Sequence, residues 1–89
     1  MAKATPRLTV QILSPDQVLY AGSALSVTSF NDAGRFDVLP AHANFVSLIK
    51  KAVLVRPDAK KRHEFAIEQG VLHCREDNVR VFVGMGSRI

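Results

Sequence analysis

The chain has one cysteine, Cys74, among its 89 residues. No internal disulfide can form, and a reducing compartment, the cytoplasm, is the natural setting. Long apolar runs are also missing. None approaches the roughly 20 residues that a membrane-spanning helix needs, and Met1-Ala2-Lys3-Ala4 opens no signal peptide. Compositional bias is absent too: 47% hydrophobic and 22% charged residues are the proportions of an ordinary globular domain. With no repeat, linker or low-complexity segment, one domain over residues 1–89 is expected. A chain this short buries only about two-thirds of its unfolded surface.

Catalytic constellations are equally scarce. His42, His63 and His73 are scattered, and only His73-Cys74 sets two metal-capable side chains together. Neighbours on a strand point to opposite faces, so these two do not suit one ion, and Cys74 reads as a small core residue. The serines and threonines fall in inferred strands or turns, none in a G-x-S-x-G elbow. There is no P-loop, and Gly84-Met85-Gly86 is too short for a dinucleotide fingerprint. The expectation is no catalytic residue, no metal and no cofactor.

Acidic residues are outnumbered, 8 against 12 Lys and Arg, giving a formal net charge of +4. One real basic cluster exists, Lys60-Lys61-Arg62-His63, just after Pro57-Asp58. It reads either as a solvated hairpin tip or as the contact of a small β-barrel for single-stranded nucleic acid. The second reading wants aromatics interleaved with the cations. None lies inside the cluster, and excess charge alone implies no specific partner.

What is present is alternation. Leu8, Val10 and Ile12 share one face of a strand begun at Arg7, and Ser14-Pro15-Asp16 breaks it. Val18-Leu19-Tyr20 makes a short second strand ending near Gly22. Leu25, Val27 and Ser29 alternate with Ser26 and Thr28 in a third, and Asn31-Asp32-Ala33-Gly34 turns the chain into a hairpin. Phe45 to Ile49 is ambiguous, strand or one to two helical turns, and Ala52-Val53-Leu54-Val55 is a short apolar run ended by Pro57. After the basic tip, Phe65 and Ile67 point inward. Gln69-Gly70 then reads as a turn, Val71 to Cys74 as the next strand and Glu76-Asp77-Asn78 as another turn. Val79, Val81 and Val83 form the inner face of the clearest strand. Short strands at intervals of about 8–12 residues predict an all-β fold, a two-layer β-sandwich or flattened barrel. Gly84 to Ile89 has nothing to pair with and is expected to be mobile.

The chain is organised around Gly34-Arg35-Phe36-Asp37-Val38-Leu39-Pro40-Ala41-His42-Ala43-Asn44-Phe45. A glycine able to take φ > 0 opens a strand with Phe36 and Val38 on one face, and a proline that cannot donate to a sheet ends it. His42 then stands in an exposed, shaped loop. It either satisfies a loop carbonyl or serves as an interface residue on a rigid support.

This stretch resembles the G-x-F/L-G-I-L-P-G-H-A-P segment of the epsilon subunit of F-type ATP synthases, with Gly34, Phe36, Leu39, Pro40, His42 and Ala43 in register. Leu8, Val10, Ser14, Tyr20 and Gly22 are similar to that family's opening segment, and Ala24 to Thr28 to its next strand. Phe65 to Leu72 followed by Asn78-Val79-Arg80-Val81 resembles its closing hairpin. The resemblance implies a β-sandwich that docks on the gamma subunit of the central stalk and touches the c-ring. That is a non-catalytic coupling element, peripheral on the inner face of an energy-transducing membrane. It implies partner-binding roles for Ser14, Arg35, Phe36, Pro40, His42, Ala43 and Ser47. Three positions depart from the pattern. Arg35 stands where an acidic residue is common, Asp37 where the second glycine falls, and Asn44 where a proline falls. A charge reversal at an interface calls for a compensating change, so either the ring loop is less basic than usual or Arg35 makes no contact. The family usually continues into a C-terminal helical hairpin, and this chain stops at Ile89 near where that would begin, so inhibitory and ATP-sensing roles are not expected.

Overall fold

In the computed structural model, residues 6–41 and 44–84 are described. Among them are seven strands and no helix: β1 (Leu8–Ser14), β2 (Gln17–Ala24), β3 (Ser26–Asn31), β4 (Gly34–Val38), β5 (Phe45–Arg56), β6 (His63–Arg75) and β7 (Asn78–Val83). They form one sheet in the order β2-β1-β7-β6-β5-β3-β4, with β1 and β7 parallel and every other pair antiparallel.

Two long strands turn that sheet into a sandwich. The first half of β5 pairs with the second half of β6 in a layer with β7, β1 and β2. The second half of β5 pairs with the first half of β6 and with β3, which carries β4. The change of layer occurs at a bulge. Lys50 pairs with Gln69 but Lys51 pairs with Ile67, leaving Glu68 as an extra residue. One extra residue reverses which side chains face inward. Accordingly Phe65 and Ile67 pack toward the core before the bulge, and Gly70, Leu72 and Cys74 are buried after it. Lys51 takes φ 75 at the bend.

Between the layers lies a single cluster. Leu8, Val10 and Ile12 meet Val79, Val81, Val83, Leu72 and Cys74 from one side, and Val27, Val38, Val53 and Val55 from the other. The sheet's two edge strands, β2 and β4, are closed against the opposite layer by aromatic contacts. Tyr20 meets Phe65 edge-on at 6.2 Å and His63 at 5.5 Å, and Phe36 meets Phe45 edge-on at 6.1 Å.

The inner faces of β1, β4 and β7 agree with the alternation in the sequence. One ambiguity is settled and one expectation does not hold. Phe45 to Ile49 is not helical: it continues without a break into the following apolar run as one 12-residue strand. Gln69-Gly70 is not a turn but the flank of the bulge inside the 13-residue β6. The second strand also runs past Gly22 to Ala24, because its backbone still pairs with Leu8, Thr9 and Val10. The expectation that Gly84 to Ile89 has nothing to pair with also does not hold at Gly84, which has a partner; residues 85–89 lie outside the described residues.

Candidate functional site

The stretch around Pro40 is built by the β3–β4 hairpin. Asp32-Ala33 make its turn, Asn31 Oδ1 accepts the amide of Ala33 at 2.8 Å, and Gly34 takes φ 117, a conformation an L side chain resists. From Gly34 the chain runs along the sheet edge to Val38, which is buried, and leaves through Leu39 and Pro40.

Beyond Pro40 the loop is clamped from both sides by the β6–β7 turn. Ala41 sits at φ 66, unusual for alanine, and its amide donates to Asp77 Oδ1 at 2.8 Å. On the far side of the loop, Asn44 Oδ1 accepts the amide of Glu76 at 2.8 Å. Glu76 and Asp77 themselves take φ 51 and 65, as a type I′ hairpin turn requires of its two central residues. Asp77's carbonyl also accepts the amide of Thr9. One tight turn thus anchors the residues on both sides of His42-Ala43. His42 and Ala43, two of the expected contact residues, lie outside the described residues.

Three other expected residues cluster beside this loop. Phe36 is half-buried and closes the seam with Phe45. Pro40 is also half-buried. Arg35 is exposed on β4, with its Nε 3.8 Å from Asp37 Oδ1. Asp37 in turn accepts the hydroxyl of Thr28 at 2.6 Å. The two charged departures from the segment that this stretch resembles therefore lie beside one another on β4. At 3.8 Å in solvent such a pair is weak.

Ser47 joins the same end through Asn31, whose Nδ2 donates to its hydroxyl at 3.2 Å, while that hydroxyl donates to Leu48 O. Beside it Lys50 bonds Asp32 at 2.9 Å, and this hydrogen bond, then the ammonium's charge, holds Asp32 below the usual carboxylate range. Ser14 stands apart. Its hydroxyl lies 3.2 Å from Asp16 Oδ1 and 3.3 Å from Gln17 O, so its one proton is engaged within its own turn.

The basic tip is exposed at Lys60, Lys61 and Arg62. Asp58 Oδ1 accepts the amides of Lys60 and Lys61, and the first of these bonds leads in lowering its pKa. His63, the one ring in the cluster, is spent on the Tyr20 seam. No group of three His, Cys, Asp or Glu side chains suited to a metal occurs among the described residues. Nor does any described helix have the length and apolarity to cross a membrane.

Residue-by-residue reading of the sequence misses Asp77, Asn44 and Asp37 as the groups that shape this end. Asn44 and Asp37 stand out there only as departures, and Asp77 only as a turn former.

Comparison with known proteins gives a consistent picture. Residues 7–86 match the family model described as ATP synthase, Delta/Epsilon chain, beta-sandwich domain. An ATP synthase epsilon chain of Sulfurimonas denitrificans is 35% identical over 78 residues, covering 86% of this chain and 60% of the relative. One from Campylobacter jejuni is 36% identical over 75 residues, covering 83% and 58%. The chain thus spans about 60% of the length of these curated relatives. Among solved structures, a chain of the Euglena gracilis mitochondrial ATP synthase (OSCP/F1/c-ring) superposes with a TM-score of 0.81 at 15% identity, over 92% of this chain and 53% of the other. A chain of the Tetrahymena thermophila mitochondrial ATP synthase central stalk/c-ring gives 0.69 at 10% identity, over 93% and 66%. At those identities the likeness establishes the fold.

Proposed function

The chain belongs to the ATP synthase delta/epsilon beta-sandwich family, and on that premise we propose that it is a non-catalytic central-stalk subunit of a rotary F-type synthase. In this reading it joins the gamma subunit to the c-ring during ion-driven ATP synthesis. It works at the inner face of the energy-transducing membrane, held there by the complex. The relatives are named as epsilon chains, and one fold neighbour comes from a central stalk and c-ring assembly.

The observation that carries the reading is the clamped loop. Asp77 and Asn44 fix the chain immediately before and after His42-Ala43. Flanks held in this way lose little entropy on docking, so more of the contact energy appears as affinity. A coupling element needs that economy, since a compliant contact would let stalk and ring slip. Arg35, Phe36, Pro40, His42, Ala43 and Ser47 are assigned to this surface. Ser14, the last residue of β1, is assigned to a separate contact.

The test is calorimetric titration of the cognate gamma subunit, and separately of the purified c-ring, with wild type and with His42→Ala combined with Arg35→Ala. Circular dichroism should show both proteins folded. Loss of one good contact of about 1–2 kcal/mol weakens binding roughly ten-fold. Equal affinities would remove the loop from the interface, and no binding by wild type would remove the stalk role.

A further inference from the structure

The chain's surplus of positive charge is not spread over the sandwich. Arg56, Lys60, Lys61 and Arg62 follow the last pair of the β5–β6 ladder, Val55 with His63, and Arg7 joins them by donating to Pro57 O. Against these five cations the segment sets one carboxylate, Asp58. That difference is the whole formal net charge of +4, and the other seven cations are matched by seven carboxylates. If Glu64, the next carboxylate along β6, is counted with the tip, three of the four surplus charges still lie there. The two ion pairs among the described residues, Arg35–Asp37 and Lys50–Asp32, involve none of these groups.

Asp58 is committed to the loop itself. Its Oδ1 accepts the amides of Lys60 and Lys61 at 2.8 and 2.9 Å, which fixes the loop's shape and fills the place an outside anion would take on those amides. The side chains of Lys60, Lys61 and Arg62 are left exposed, and between 57 and 62 the one exposed apolar residue is Ala59. Val38, where the clamped loop begins, lies beside Val27, and Val27 beside Val55. Loop and tip therefore leave the four-stranded layer at one end, about 10 Å apart across two strand spacings.

We propose that the β5–β6 tip meets the anionic headgroups of the membrane's cytoplasmic leaflet. That leaflet carries a negative surface potential, and each Lys or Arg near it strengthens binding about five-fold. A nucleic acid fits poorly, because no residue from 57 to 62 has an aromatic ring for a base and His63 is packed on Tyr20. A protein partner fits poorly as well, since Ala59 alone cannot make the desolvated centre of an interface. A leaflet asks for neither. Its anions are mobile and no side chain inserts, so the contact holds the chain near the surface without fixing its rotation. The choice of surface rests on the stalk reading, in which the clamped loop brings this end toward the membrane that holds the ring.

The experiment sediments the full chain with vesicles of phosphatidylglycerol and phosphatidylcholine in equal parts, and with phosphatidylcholine alone. At about 0.05 M salt the chain should bind the mixed vesicles only, and about 0.5 M salt should release it by screening. Lys60→Gln, Lys61→Gln and Arg62→Gln together should weaken binding about a hundred-fold. A control that loses the same charge at exposed positions elsewhere, Lys51→Gln with Arg75→Gln and Arg80→Gln, should stay within about three-fold of wild type. Circular dichroism should show both variants folded. Equal losses in the two variants, binding that survives high salt, or no binding would overturn the proposal. So would release by inorganic phosphate at constant ionic strength, which would assign the tip to a soluble phosphate, or tighter binding to a single-stranded oligonucleotide. The tip variant should still bind the gamma subunit or the ring. Vesicle binding by a chain that binds neither subunit would contradict the stalk reading alone, and subunit binding without vesicle binding would contradict this inference alone.

Discussion

Ser29 and Cys74 show how single side chains serve the bent sheet. Ser29 is fully buried, and its hydroxyl donates to Ala52 O at 2.8 Å where the β3–β5 ladder breaks between Thr28 and Phe30. The hydroxyl gives that carbonyl a donor at the break. Ser29→Ala leaves that buried carbonyl without it and should cost about 1–3 kcal/mol, read as a fall in the urea midpoint. Cys74 is buried beneath Phe45, with which it pairs. Burial, and secondarily the carboxylate of Asp77, pushes its thiol above its ordinary 9.0. With the folded pKa raised, the unfolded chain loses the proton first. Stability is therefore full below about pH 9 and falls as pH rises from there toward the folded value. Denaturation between about pH 8 and 10 should show this slope, and Cys74→Ala should flatten it despite a lower stability at neutral pH. An unchanged slope in the variant would exclude the thiol as its source.

At the scale of the elements, the bulge decides both the architecture and what the sequence can reveal of it. Leu8-Val10-Ile12 and Val79-Val81-Val83 are legible because each strand keeps one period from end to end. The long strands are not: in β6 the inward residues change parity at Glu68, and β5, whose inward Phe45, Ile49, Val53 and Val55 keep one parity, is interrupted by Lys50-Lys51 and is read as two short pieces. Gln69-Gly70 then looks like a turn, since a glycine at a change of phase is the usual mark of one. Gly70 is needed for a different reason. A Cβ there would lie 2.5 Å from Phe82 O of the neighbouring strand, a backbone atom that cannot step aside alone. Gly70→Ala should therefore cost about 2–4 kcal/mol, whereas Gly34→Ala, whose Cβ meets nothing within 4 Å, should cost about 1 from its φ alone. Thermal melts of the two variants give the comparison, and equal losses would place the wrong strand against Gly70. The candidate site divides the same way. The proline-ended strand is readable from Gly34 to Pro40. The clamp is not, because Ala41 and Asp77 are 36 residues apart and no local pattern pairs them.

For the whole molecule, the sandwich separates three surfaces. The β3–β4 end with its clamped loop carries the assigned stalk contacts. The five-stranded outer face carries the exposed Val18, Val46, Leu48, Arg75 and Arg80. The β5–β6 tip holds Lys60, Lys61 and Arg62, its base tied down where Arg7 donates to Pro57 O and to Ser23 Oγ. The stalk assignment rests on the first surface, and a photo-crosslinking amino acid at position 42 probes it at its centre. The substituted chain would be expressed in the cell whose synthase it serves, its membranes irradiated, and the adducts identified by mass spectrometry. Adducts with the gamma subunit or the c-ring are expected, reduced when Asp77→Ala releases the clamp. Adducts confined to other subunits, or no adduct while the chain still co-purifies with the complex, would contradict the assignment.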